Sequence, residues 1–127
     1  MEILLDTHAV VWWFEGSSDL SKRASSIIAG PGNLILISAV VGWELAIKVN
    51  LGKFTTPALV QELHRIVEGE GFAELPISLE HGIRAGLLPL HHRDPFDRVL
   101  VAQAQALGTP ILSADRALDA YDVRRIW

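Results

Sequence analysis

The chain of 127 residues contains no cysteine. Disulfide scaffolds, thiolate zinc centres and cysteine nucleophiles are thereby excluded, and a reducing, cytoplasmic setting is the expectation. Positive charge is also scarce. Eleven Lys and Arg against 15 Asp and Glu give a formal net charge of −4, which argues against indiscriminate nucleic-acid binding through a basic surface. Long apolar runs are missing as well. The longest, Leu34 to Trp43, is interrupted by Ser38 and Gly42 and reaches half of the roughly 20 residues a membrane-spanning helix requires, so no membrane association is expected. The amino terminus, MEILLD, lacks the basic start and longer apolar stretch of a secretory signal. With 50% hydrophobic and 20% charged residues, the composition is that of a globular chain and not a disordered one. A chain of this length buries roughly two thirds of its unfolded surface in one core, so residues 1–127 are read as a single domain.

Short apolar runs alternate with longer helical periods, the pattern of an α/β fold with a mainly parallel sheet of four to five strands. Ile3 to Leu5, Leu34 to Ile37 and Ile111 to Leu112 read as buried strands, and Ala73 to Ile77 and Val123 to Ile126 as two weaker ones. Leu20, Ala24, Ile27 and Ile28 share a helix face that ends at Gly30. Ser38 is placed to cap a helix running to about Asn50, and Thr56 before Pro57 to open another that closes at Gly69 and Gly71. Ser78 begins a shorter helix ending near Gly86. Asp94 and Pro95 supply the cap and first residue of a helix that Gly108 stops.

Four acids fall at informative places. Asp6 ends the first strand, Asp115 follows the strand of Ile111 and Leu112, and ligands of open α/β sheets collect beyond the carboxyl ends of strands. Glu44 lies in the helix after the second strand, and Asp97 in the first turn of the helix that Asp94 opens. All four can point toward one sheet edge. Two bare carboxylates ~4 Å apart repel by about 4 kcal/mol at an effective dielectric near 20, so such a group needs protons or cations. Few basic residues lie near these motifs besides Arg98 and Arg116, and hard oxygen ligands suit Mg²⁺ or Mn²⁺.

The segments LLDTHAVVWW, ISAVVGWELAIKVNLGKF and HHRDPFDRVLVAQAQALGTPILSADRALDAY resemble the PIN-domain toxins of bacterial VapBC toxin–antitoxin pairs, in order and spacing, over essentially the whole chain. The resemblance implies a PIN-like α/β/α sandwich and a toxin that is an endoribonuclease. Mg²⁺ or Mn²⁺ would activate a water and stabilise charge on the phosphate, leaving a 5′-phosphate and a 3′-hydroxyl. It implies Asp6, Asp97 and Asp115 as direct or water-mediated ligands, with Glu44 either a ligand or the group that orients the water. Thr7 and Ser113 flank these acids and can hold carboxylates or metal waters through their hydroxyls. A VapB-like antitoxin, an RNA substrate and a homodimer are the partners it implies.

Each residue also has a plainer reading. Asp6 alone suits a strand-ending turn, Glu44 a solvated helix face, Asp97 a capping box and Asp115 a helix cap. Asp94, with Pro95 behind it, is fully explained as a cap, and its role is to aim Asp97. His91 and His92 invite a zinc reading, but adjacent residues do not share a helical face, so they read as a loop before a helix. Lys48 and Lys53 read as solvated, with RNA phosphate steering, together with Arg98 and Arg116, as the functional option. Trp12, Trp13 and Phe14 exceed what one helix buries, which leaves part of the block for a partner surface. A different class of protein, a catalytically inactive module holding a basic peptide or RNA in the acidic cleft, remains the alternative. A phosphoacceptor domain ranks third because Asp6 is followed by Thr7 and His8 and not by a DxD pattern.

Overall fold

Ile3, Leu4 and Leu5 are each at most 1% exposed, although successive side chains of a strand point to opposite faces. Both faces of the sheet at this strand are therefore covered, which gives a three-layer α/β/α arrangement. The computed structural model describes residues 1–53 and 57–127. Its elements are β1 (Glu2–Leu5), α1 (Thr7–Glu15), α2 (Lys22–Ala29), β2 (Leu34–Ser38), α3 (Ala39–Asn50), α4 (Pro57–Gly69), β3 (Ala73–Leu75), α5 (Leu79–Leu87), α6 (Pro95–Leu107), β4 (Ile111–Leu112), a 3-10 helix (Arg116–Ala120) and β5 (Arg125–Ile126). The helix expected from Thr56 onward is seen from Pro57, and Thr56 lies outside the described residues.

All strand pairs are parallel, in the order β3-β2-β1-β4-β5. From β1 the chain moves outward on one side to β2 and β3, then returns to the other side for β4 and β5. The switch lies between β1 and β4, where a crevice opens beyond the carboxyl ends of the strands. Leu5 pairs with Leu112 there, and Asp6 N–H donates to Leu112 O at 3.1 Å. Asp6 and Ser113 thus leave neighbouring strands side by side.

Local chemistry sets the helix ends. Ser38 caps α3, and Ser78 caps α5 in a reciprocal pair with His81, whose N–H donates to Ser78 Oγ while its Nδ1 accepts from Ser78 N–H, each at 3.1 Å. Asp94 Oδ1 accepts from Phe96 N–H at 2.9 Å ahead of Pro95, and Gly108 ends α6 at φ 64°, a conformation only glycine adopts freely.

The aromatic block is packed in part, with Trp12, Trp13 and Phe14 each half-buried. Trp12 meets Trp127 at 5.7 Å between ring centroids, while Trp13 and Phe14 both lie against Phe72. Part of the area that α1 cannot bury is covered by residues remote in sequence, Phe72 and Trp127. Exposed apolar surface sits instead on α5 and the turn after it: Leu79 is 83%, Ile83 56%, Leu87 80% and Leu90 82% exposed. No helix among the described residues is long and apolar enough to cross a membrane.

Candidate metal centre

Asp6 serves two elements at once, ending β1 and capping α1. Its Oδ1 accepts from Ala9 N–H at 2.9 Å, and its Oδ2 accepts a short hydrogen bond from Ser113 Oγ, which rises from the end of β4. Glu44 reaches the same place from α3. Thr7 Oγ1 donates to Glu44 Oε1 at 2.6 Å, and Lys48 Nζ, one helical turn on, lies 2.8 Å from Glu44 Oε2. Asp97 projects from the first turn of α6, and Asp115 from the N-cap of the 3-10 helix, where Oδ1 accepts from Ala117 N–H at 3.0 Å. Together with Thr7, His8, Lys48, Asp94 and Ala114, the four acids line one cavity of about 260 Å³.

Electrostatics follow from this crowding. Burial pushes the Asp6 carboxyl above its ordinary value of 3.8, with Ser113 and Ala9 opposing the shift. Burial also raises Asp97, to about 7, and the charge of Asp94 adds to it, followed by Asp6 and Glu44, while His92 opposes. Asp115 behaves differently. Partial burial pulls it upward, but the His92 hydrogen bond, the Ala117 N–H and the charges of His92 and Arg125 together hold it below 3.8.

Three features depart from the sequence expectations. His92 does sit in the loop before α6, yet its Nε2 lies 2.9 Å from Asp115 Oδ2 and 3.2 Å from Asp97 Oδ2. The ligating atoms of His92, Asp97 and Asp115 fall within 4.8 Å of one another. His91 turns the other way, onto the Tyr121 ring at 5.2 Å; adjacency prevented both histidines from entering the site, not one. Lys48 is no freely solvated lysine but the counter-charge of Glu44, a position visible in sequence as an i,i+4 pair. Arg98 faces away. It is 8% exposed, and its guanidinium donates to the carbonyls of Ala85, Gly86, Leu88, Pro89 and His92, so the expectation that it steers RNA phosphates does not hold. Arg116 is exposed beside Asp115, and Lys53 is exposed on the turn after α3.

The donor set is all carboxylate oxygen on the acidic side, with a single lysine against five acids in the cavity. Such hard ligands fit Mg²⁺ or Mn²⁺ better than softer ions. Asp97 Oδ1 is the one oxygen of the quartet that accepts no hydrogen bond and no ion pair among the described residues.

Several solved structures share this architecture. VapBC2 from Rickettsia felis, bound to a DNA fragment from its promoter, aligns with a TM-score of 0.73 at 16% identity, covering 99% of this chain and 98% of that one. A toxin–antitoxin complex from Klebsiella pneumoniae gives 0.69 at 15% identity with 98% and 96% covered, and VapBC-1 from nontypeable Haemophilus influenzae 0.68 at 14% identity with 99% and 97% covered. No curated protein matches the sequence. Residues 3–124 match the PIN domain, and the chain therefore belongs to the PIN domain family.

Proposed function

We propose that this protein is the toxin of a type II toxin–antitoxin pair, an endoribonuclease dependent on Mg²⁺ or Mn²⁺. The observation that carries the reading is the convergence of Asp6, Glu44, Asp97 and Asp115, from four separate elements, on one cavity at the sheet's switch point. Family membership supports a nuclease, and the toxin–antitoxin complexes among its structural relatives support a VapB-like antitoxin as partner. A bound divalent cation supplies activation of a water and stabilisation of charge developing on the phosphate.

The side chains prepare for that chemistry. Asp97 offers an oxygen free of protein donors, and Asp6 and Asp115 keep unused lone pairs on oxygens already fixed by Ser113, Ala9 and Ala117. Thr7 fixes Glu44, whose charge Lys48 offsets, so Glu44 is the candidate to orient the attacking water. Purified protein is expected to cut a susceptible RNA only when Mg²⁺ or Mn²⁺ is present. Asp6→Asn should lower the rate at least 100-fold, an effect on the order of 3 kcal/mol. Unchanged cleavage in Asp6→Asn sinks the assignment of the site. Mn²⁺ binding without cleavage of any RNA favours the inactive binding module.

The reading includes a homodimer. Leu79, Ile83 and Leu87 form an unpartnered stripe on α5, and Glu80 and Arg84 flank it. Two copies packed antiparallel about a two-fold axis bury the stripe against its own copy, with the Glu80–Arg84 pair of each helix at the edge. Leu79→Glu with Leu87→Lys places charges that suit the two ends of α5. The double variant is expected to elute as a folded monomer in light-scattering chromatography at concentrations where the parent chain is a dimer. A parent chain that is monomeric there overturns this assignment.

A further inference from the structure

His92 lies against two acids of the site, and its ring tautomer is fixed by the backbone. Asp94 N–H donates to His92 Nδ1 at 3.1 Å, so Nδ1 must present a lone pair and the ring hydrogen is on Nε2. That Nε2–H donates to Asp115 Oδ2 at 2.9 Å, and Asp97 Oδ2 lies within ion-pair range of the same nitrogen at 3.2 Å. A histidine that binds a cation through Nε2 needs its lone pair there, and its other ring nitrogen then donates to a carbonyl or carboxylate. Here the other nitrogen meets a donor. The ring is in the wrong tautomer to be a ligand and in the right one to hold carboxylates.

The loop that carries it is pinned on both sides. His92 N–H donates to Tyr121 Oη at 2.9 Å, and the same hydroxyl donates to Pro89 O at 2.8 Å. His92 O accepts from Arg98 Nη1 at 3.4 Å. With the backbone anchored at residues 89, 92 and 94, little freedom is left to the ring, whose side chain is 17% exposed.

We propose that His92 is a positioning residue of the acidic site: a fixed Nε2–H donor that holds the Asp115 carboxylate, keeps Asp97 beside it by charge attraction, and is not itself a metal ligand. The inference rests on the metal-site reading above. It explains how an acid from α6 and an acid from the 3-10 helix come to lie beside one ring nitrogen while Asp97 Oδ1 accepts no hydrogen bond among the described residues.

Three measurements on the full chain decide it. In long-range ¹H–¹⁵N spectra, His92 is expected to show a protonated Nε2 and a bare Nδ1; a protonated Nδ1 overturns the proposal. With Mn²⁺ bound, pulsed electron paramagnetic resonance should show no directly coordinated histidine nitrogen, and a ligand-type nitrogen coupling overturns it. Finally, His92→Gln, which sets an amide N–H near the place of Nε2–H, should hold Mn²⁺ within about threefold of the parent affinity, while His92→Leu should lose about 10- to 100-fold. Equal losses in both, with both variants folded by circular dichroism, count against a donor role. If the parent chain binds no Mn²⁺, the metal-site reading fails by itself, and the ring spectra still decide whether His92 is the donor to the acids.

Discussion

Asp97→Asn is expected to slow RNA cleavage at least about 100-fold and, in the presence of a chelator, to raise the melting temperature at pH 8. The two effects have one cause. Asp97 is held in a crowded, mostly buried position where its carboxyl titrates near 7 against an ordinary 3.8. Between these values the folded chain keeps a proton that the unfolded chain releases, so the contribution of Asp97 to stability is full below pH 3.8 and is lost as pH rises through about 7. At pH 8 the ionised group opposes folding. A rise from 3.8 to about 7 corresponds to about 4 kcal/mol, and solvent screening at a partly exposed group reduces this to about 2 kcal/mol, several degrees in melting temperature. Asparagine removes the charge and keeps an oxygen that can accept from His92. On the proposed function, cleavage should fall at least about 100-fold, because a cation held by these acids would stabilise the transition state by several kcal/mol. Calorimetry between pH 4 and 9 checks the linkage: the gain should shrink toward zero near pH 4. A variant less stable than the parent at pH 8 would mean that the carboxylate stabilises the fold.

The fold was legible where local pattern and burial agree. Residues 3–5, 35–37 and 111–112 are apolar without alternation because both their faces are covered, and the caps at Ser38, Ser78 and Asp94 stand directly before the helices they start. The weaker edge strands were placed correctly but drawn too long; β3 is Ala73–Leu75 and β5 is Arg125–Ile126. At an edge the ladder has a partner on one side only, and hydropathy does not mark where pairing stops. The partners of Trp12, Trp13 and Phe14 were invisible because Phe72 and Trp127 meet them only through the tertiary fold.

At the site, strand-end logic points to Asp6 and Asp115, and the capping box that competes for Asp97 does not form. Asp94 N–H is taken by His92 instead, which leaves the Asp97 carboxylate facing the cavity. His92 itself could not be read from spacing, since its approach to Asp115 spans 23 residues of chain. Lys48 could have been, from its distance of four residues to Glu44. Asp6 carries a signal that was read only in part: an acid between a strand and a helix is an N-cap as well as a strand end, and its double role is what holds it rigid.

Arg98→Ala is expected to cost about 3 kcal/mol, a large share of the roughly 5–15 kcal/mol that holds a domain of this kind together. The guanidinium is buried without a carboxylate partner among the described residues. Its charge is instead met by carbonyls at and just beyond the end of α5: Nη2 donates to Ala85 O and Leu88 O at 2.9 Å each, and Nη1 to Pro89 O at 3.0 Å. Truncation leaves several of these acceptors without their charged donor at once. Lysine brings a point charge without the planar fork, so it should recover part of the loss and give the order Arg, Lys, Ala in urea denaturation. A loss under 1 kcal/mol for alanine would show that water replaces the guanidinium. Because the same side chain also holds His92 O, Mn²⁺ affinity in Arg98→Lys should fall at temperatures where the variant is still fully folded. That second effect ties a residue directed away from the acids to their geometry: an arginine committed to five carbonyls is not available to a phosphate, and its influence on the site passes through the loop that aims His92.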